Sequence, residues 1–124
     1  MQVLDKALLC LDIVKERKAI DPVLIKMEKL SSFTDYFLIV SGNSIRQVQA
    51  ITRHIKERMD EENFKAYGSE GEREGHWVLL DYDDVVIHIF YQPDREFYDL
   101  EGLWFEAPRI DPDEKGIPEP GSSQ

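Results

Sequence analysis

A single cysteine, Cys10, among 124 residues excludes an intrachain disulfide and leaves no cysteine pair to build a zinc site. Cys10 falls inside an amphipathic pattern and reads as a small core residue rather than a nucleophile. Basic side chains are scarce: 15 Lys and Arg stand against 25 Asp and Glu, a formal net charge of −10. That balance argues against nucleic acid as a direct ligand, since phosphate contacts need clustered Lys and Arg. It suits a basic protein partner, whose approach an acidic surface would steer. No stretch nears the ~20 apolar residues that cross a bilayer, and the N-terminus lacks a basic segment followed by an apolar one, so no secretory signal is read. The expected compartment is the cytoplasm. No internal repeat is visible.

What is present is a globular composition, 42% hydrophobic and 10% aromatic, on a chain of one-domain length. Residues 1–105 read as that domain. Residues 106–124 hold Pro108, Pro112, Pro118 and Pro120, four of the six prolines, and read as an extended or disordered tail.

Leu4, Ala7, Leu8, Leu11 and Val14 recur at helical spacing and predict an amphipathic first helix. Val23, Ile25 and Met27 alternate with charged neighbours toward Lys29, as in a half-buried strand. Ser31 to Asp35 reads as a turn, and Tyr36 to Val40 as a strand covered on both faces. Ser44 and Gln47 have the form of a capping box, opening a second helix with Ile45, Val48, Ile51, Ile55 and Met59 on one stripe. Phe64 to Tyr67 is read as a short strand that completes a strand–helix–strand crossover. An acidic loop with Gly68, Gly71 and Gly75 follows, then a hairpin from His76 to Tyr91 turning at Asp83-Asp84, and a last short helix near Arg95 to Trp104. The order predicts an α/β or α+β domain with a mixed sheet of about five strands and helices packed against it.

The hairpin carries the functional argument. With Asp83 and Asp84 as loop residues, Leu80 faces Ile87 and Val78 faces Ile89. Val78, Leu80, Tyr82, Val85, Ile87, Ile89 and Tyr91 then share an uncharged core side. The opposite side carries Trp77, Leu79, Asp81, Val86, His88 and Phe90. Either that side stays accessible as an aromatic protein interface or a further helix covers it; the sequence leaves both open. From Asp81 to Glu101 seven acids stand against one base, Arg95, so a charged ligand of this region should be basic. Phe97, Leu100 and Trp104 fall on one helical stripe that should pack on the sheet.

Catalytic constellations are weak. Asp81-x-Asp83 has the spacing of paired metal-holding carboxylates in nucleotidyltransferases, but a hairpin mouth has the same composition. The Gly-Ser phosphate turn such enzymes need is split by Asn43. The acidic glycine loop lacks a Gly-Lys-Ser or Gly-Lys-Thr ending. His54, His76 and His88 have no zinc-ligand spacing, and no serine sits in a nucleophile elbow. The expectation is a non-enzyme with no cofactor and no metal; the competing reading is a metal-dependent nucleotide enzyme using Asp81 and Asp83.

Thr34-Asp35-Tyr36-Phe37, Ser41-Gly42-x-Ser44-x-Arg46-Gln47-Val48-x-Ala50-Ile51, Trp77-Val78-Leu79-Leu80-Asp81-Tyr82, Val85-Val86-x-His88-x-Phe90 and Arg95-x-Phe97-Tyr98-x-Leu100-Glu101-x-Leu103-Trp104 together resemble the ribosomal silencing factor family (RsfS, also called iojap). The resemblance implies a fold like that of nucleotidyltransferases without their catalytic motif. It also implies docking on the large ribosomal subunit through its protein fourteen, on the intersubunit face. Small-subunit joining would be blocked sterically and translation repressed when nutrients run low, with homodimers formed by some members. The family usually has glycine at the position of Asp83, so the hairpin turn here should differ in shape. The residues expected to contact the partner are Trp77, Leu79, Tyr82, His88, Tyr98, Asp99 and Glu101, with Tyr82 reached at the hairpin mouth although the register puts it on the core side.

Overall fold

The structure, a computed structural model, describes residues 2–27, 34–104 and 106–110. Its helices are α1 (Val3–Lys15), α2 (Ile45–Glu61), α3 (Gln92–Tyr98) and α4 (Leu100–Leu103). Its strands are β1 (Ile20–Lys26), β2 (Tyr36–Gly42), β3 (Gly68–Glu70), β4 (Trp77–Asp81), β5 (Val85–Tyr91) and β6 (Arg109–Ile110). They form one mixed α+β sheet in the order β3-β4-β5-β2-β1-β6. Only β2 and β5 pair in parallel, at the centre; the flanking pairs are antiparallel.

Alternation along the strands builds two unequal layers. One side of the sheet presents Leu24, Leu38, Val40, Val78, Leu80, Val85, Ile87 and Ile89 to Ala7, Cys10, Leu11 and Val14 of α1 and to Val48, Ile51, Ile55 and Met59 of α2. This is the main core. Cys10 is fully buried with its Sγ 3.8 Å from Met59 Sδ, and burial raises its thiol pKa to about 12, so it is the packing residue expected rather than a nucleophile. The other side carries a smaller cluster of Ile25, Met27, Ile39, Phe90 and Ala107, against which Phe37, Trp77, Leu100 and Trp104 pack half-buried. The C-terminal segment therefore covers this second face in part, where the sequence left open or covered as alternatives.

The hairpin register agrees with the alternation: Leu80 pairs with Ile87 and Val78 with Ile89, and Tyr82 N–H donates to the Val85 carbonyl at 2.9 Å. Asp83 alone of the two loop residues takes a positive φ, +72°. A type I′ turn needs two such residues and a type II′ turn one, at this position, and the Asp81 carboxylate accepts the Asp83 N–H at 2.8 Å. At the start of α2, Ser44 Oγ accepts the Gln47 N–H at 3.0 Å. The Gln47 amide oxygen reaches one residue further than a capping box requires, to the Asn43 N–H at 2.6 Å.

Four expectations are corrected. The short strand is Gly68–Glu70, not Phe64–Tyr67: Asn63 turns left-handed (φ +67°) and Phe64 N–H closes onto Met59 O at 2.8 Å, so 64–67 serve as the exit of α2. The parallel partner of β2 is accordingly β5, and the crossover spans α2, β3 and β4. The glycine loop is tied to α2, since Gln49 Nε2 donates to the Arg73 carbonyl at 2.9 Å and Lys56 pairs with Glu72 at 3.0 Å. A side chain at Gly71, with φ +78°, would collide with the Trp77 carbonyl.

Third, β1 begins at Ile20, with Pro22 inside it, because the strand is irregular between Ile20 and Val23 and Asp21 turns to φ +44°. Fourth, Arg109 and Ile110 pair with Ile25 and Leu24, so the sheet runs past the boundary expected at residue 105. The expected turn at 31–33 and the tail from 111 to 124 lie outside the described residues. No helix among the described residues is long and apolar enough to cross a membrane.

Candidate functional site

Rings from three neighbouring strands, from α3 and from Trp104 just after α4 meet on the second face of the sheet. Trp77 of β4 stacks on Phe90 of β5, with centroids 4.8 Å apart, and meets Tyr98 of α3 at 4.9 Å. Tyr98 in turn meets the edge of Phe97 at 5.1 Å. Toward the other side, Phe37 of β2 stands edge-on to His88 at 4.6 Å and to Trp104 at 6.4 Å. Offset and edge-on pairs of this kind contribute about 0.5–1.5 kcal/mol each beyond area burial, so the rings stiffen one another.

The outer end of this run is open to solvent. Phe97 is 80% exposed and Tyr98 49%, while Trp77 and Leu79 are half-buried. The reason is a break in the last helix. Asp99 is left-handed (φ +46°, ψ +51°) and its N–H closes α3 onto Arg95 O at 2.9 Å. An unbroken helix would align Phe97 with Leu100 and Trp104. The break turns Leu100 and Trp104 onto the sheet and leaves Phe97 outside, against the expectation that all three pack together.

Arg95 holds this arrangement. It is 6% exposed and donates to both Glu101 carboxylate oxygens (2.7 and 3.1 Å), to Ser41 Oγ (2.8 Å) and to the carbonyls of Ile20 (3.0 Å) and Asp21 (2.7 Å). One guanidinium thus joins α3, α4, the end of β2 and the irregular start of β1, a geometry only its planar fork supplies. The seven acids of this region separate accordingly. Asp84 pairs with Lys6 and Asp94 with His76, each at 2.7 Å, and Glu101 with Arg95. Asp83, Glu96 and Asp99 remain exposed, the last two directly beside Phe97 and Tyr98.

Of the seven residues expected at the interface, the fold brings Trp77, Leu79, Tyr98 and Asp99 to the open face. Of the other three, Tyr82 and His88 are buried against expectation and Glu101 is half-buried. Tyr82 is 1% exposed on the helix-covered side, and burial raises its hydroxyl pKa to about 12. Glu101 is engaged by Arg95. His88 lies beneath the rings at 4% exposure, where its Nδ1 accepts the Trp77 indole N–H at 3.0 Å. The residues missed are Phe97 and Arg95. A side chain at Gly102 would meet the Asp99 carboxylate, which would have to swing aside. Asp81 Oδ1 accepts the Asp83 N–H, so this carboxylate is engaged in shaping the hairpin turn. No group of three His, Cys, Asp or Glu side chains suited to a metal occurs among the described residues.

A family model described as ribosomal silencing factor during starvation matches residues 1–124. The chain belongs to the ribosomal silencing factor family. It is 46% identical over 98 residues to the ribosomal silencing factor RsfS of Bacillus subtilis (strain 168), covering 79% of this chain and 83% of that one. It is 39% identical over 103 residues to the protein of the same name from Halalkalibacterium halodurans, covering 83% and 88%. Among solved structures, a Chromobacterium violaceum protein superposes with a TM-score of 0.81 at 32% identity, covering 84% and 87%.

In this silencing-factor domain His88 also sets a pH dependence. Burial lowers its pKa from 6.5 to about 4. Between those values the unfolded chain takes up a proton that the folded chain refuses, so folding stability is full above pH 6.5 and falls as pH drops toward 4. The loss expected from this group by pH 4.5 is roughly 2–3 kcal/mol. Denaturant melts of wild-type and His88→Leu protein at pH 7 and 4.5 check it: the variant should lose markedly less stability on acidification, and equal losses would refute the assignment.

Proposed function

We propose that this chain is a non-enzymatic ribosomal silencing factor. It docks on the large ribosomal subunit through a basic protein, large-subunit protein fourteen, on the intersubunit face. There it blocks joining of the small subunit, repressing translation in the cytoplasm when nutrients are limiting. The observation that carries this reading is the open run Trp77–Tyr98–Phe97 with Leu79, bordered by the exposed carboxylates of Glu96 and Asp99. Aromatic anchors with a charged rim have the anatomy of a protein-binding patch, and the only base in that stretch, Arg95, is turned inward. The acidic rim selects a basic partner and favours its encounter.

The mechanism requires bulk in the right place and no reacting group. A domain seated on one subunit surface excludes the other subunit by volume, so the strength of repression follows occupancy. The names of the related proteins support the ribosomal setting. Self-association into a homodimer belongs to the same reading.

Sucrose-gradient sedimentation of purified subunits tests it. Adding the protein before mixing should shift joined ribosomes back to free subunits, with the protein comigrating with the large subunit. Undiminished joining at saturating protein overturns the proposal.

A further inference from the structure

We infer that His88 is a positioning residue for docking, acting through the Trp77 indole rather than by touching the partner. The inference rests on the silencing reading for what Trp77 contacts, but its geometric half stands alone. Trp77 is half-buried on β4, and its indole N–H donates to His88 Nδ1 at 3.0 Å on the adjacent strand. An indole can only donate, so Nδ1 carries no proton and the neutral ring holds its proton on Nε2. Trp77 is thereby fixed in plane between Phe90 and Tyr98, the ring through which the exposed Phe97 is reached.

The other ring nitrogen gives the reason for choosing histidine. His88 Nε2 is buried and has no hydrogen-bond partner among the described residues. A buried donor left unpaired is destabilising, and a leucine or phenylalanine at this position would pack against Phe37 without that penalty. Stability alone therefore disfavours histidine here. What only histidine supplies among side chains of this size and shape is a flat ring with an acceptor nitrogen at the height of the indole. Without it the indole N–H would turn toward water, since Trp77 is not fully enclosed, and the partner would meet a ring of undefined orientation. Fixing that ring in advance removes ordering entropy from the binding step.

The test uses three full-length proteins. His88→Leu should melt no lower than wild type at pH 7, should shift the Trp77 indole resonance in a ¹H–¹⁵N spectrum and speed its exchange with solvent, and should bind large subunits about tenfold more weakly. His88→Asn keeps an acceptor oxygen near the Nδ1 position while leaving a gap, so it should melt lower than His88→Leu yet bind more tightly. Affinity and melting temperature then move in opposite directions, which a purely structural role for His88 does not produce. Wild-type affinity in His88→Leu, or an unmoved indole resonance, overturns the inference. If wild-type protein itself fails to bind large subunits, the silencing reading fails and takes the docking role with it. The indole signal still reports the His88–Trp77 coupling in that case, so the two failures are told apart.

Discussion

Arg95→Ala lowers the melting temperature by roughly 15 °C, the largest stability effect expected of any surface-adjacent substitution in this domain. The residue makes five hydrogen bonds from a 6% exposed position. Its removal leaves the Glu101 carboxylate, itself only partly exposed, without a counter-charge, and takes a donor from the carbonyls of Ile20 and Asp21. Breaking a buried pair from one side costs about 3–5 kcal/mol, most of it the uncompensated partner, and at this chain length each kcal/mol corresponds to about 4 °C. Two further variants isolate the cause. Arg95→Lys restores charge but not the fork, and should recover a minor part of the loss. Arg95→Met combined with Glu101→Leu removes both charges and should be more stable than Arg95→Ala alone. Calorimetry on the four proteins decides the matter. A drop under about 3 °C for Arg95→Ala would mean that α3 and α4 are held by Leu100 and Trp104 instead.

The clamp also marks where the sequence stopped being legible. α1, β2, α2 and the hairpin were readable because each repeats its period several times: Ala7, Cys10, Leu11 and Val14 in one case, Val78, Leu80, Ile87 and Ile89 in another. Such repeats average out local noise, and one buried face suffices to set a strand register. β3 and β6 have three and two residues, too few to show a period, and they form because β4 and β1 offer unpaired edges. The break at Asp99 is likewise tertiary. Nothing in Phe97-Tyr98-Asp99-Leu100 forbids a continuous helix; Arg95 draws Glu101 back over the sheet, and aspartate tolerates the left-handed conformation that this demands. A lone arginine among seven acids looks like a residual surface charge in one dimension. In three it is the buried counter-ion, and the acids left outside gain their bias from its burial. Half of the candidate site was legible on the same grounds. Trp77 and Leu79 follow from strand alternation, whereas the burial of His88 and the exposure of Phe97 follow only from how the C-terminal segment packs.

That exposure makes Phe97 the sharpest probe of function. Phe97→Asp changes a side chain that is 80% exposed, so the fold and its melting temperature should be essentially untouched. Two views of the patch then predict opposite results. If charge dominates docking, one more carboxylate beside Glu96 and Asp99 strengthens attraction to a basic partner and raises affinity. If the rings are the anchors, an aspartate leaves the partner's apolar contact facing a solvated charge, and affinity falls by at least about thirtyfold, the scale of a hot-spot residue. The geometry favours the second outcome. Phe97 stands edge-on to Tyr98, which is backed by Trp77 and Phe90 down to the core, so its position is set without any partner and little ordering remains to be done on binding. The acids, by contrast, form a solvated rim, where a charge alters association rate and salt dependence more than affinity. Binding kinetics on immobilised large subunits at two salt concentrations separate these contributions. Phe97→Asp should raise the dissociation rate at both, Asp99→Asn should lower the association rate only at low salt, and subunit joining should be restored by the first substitution but not by the second.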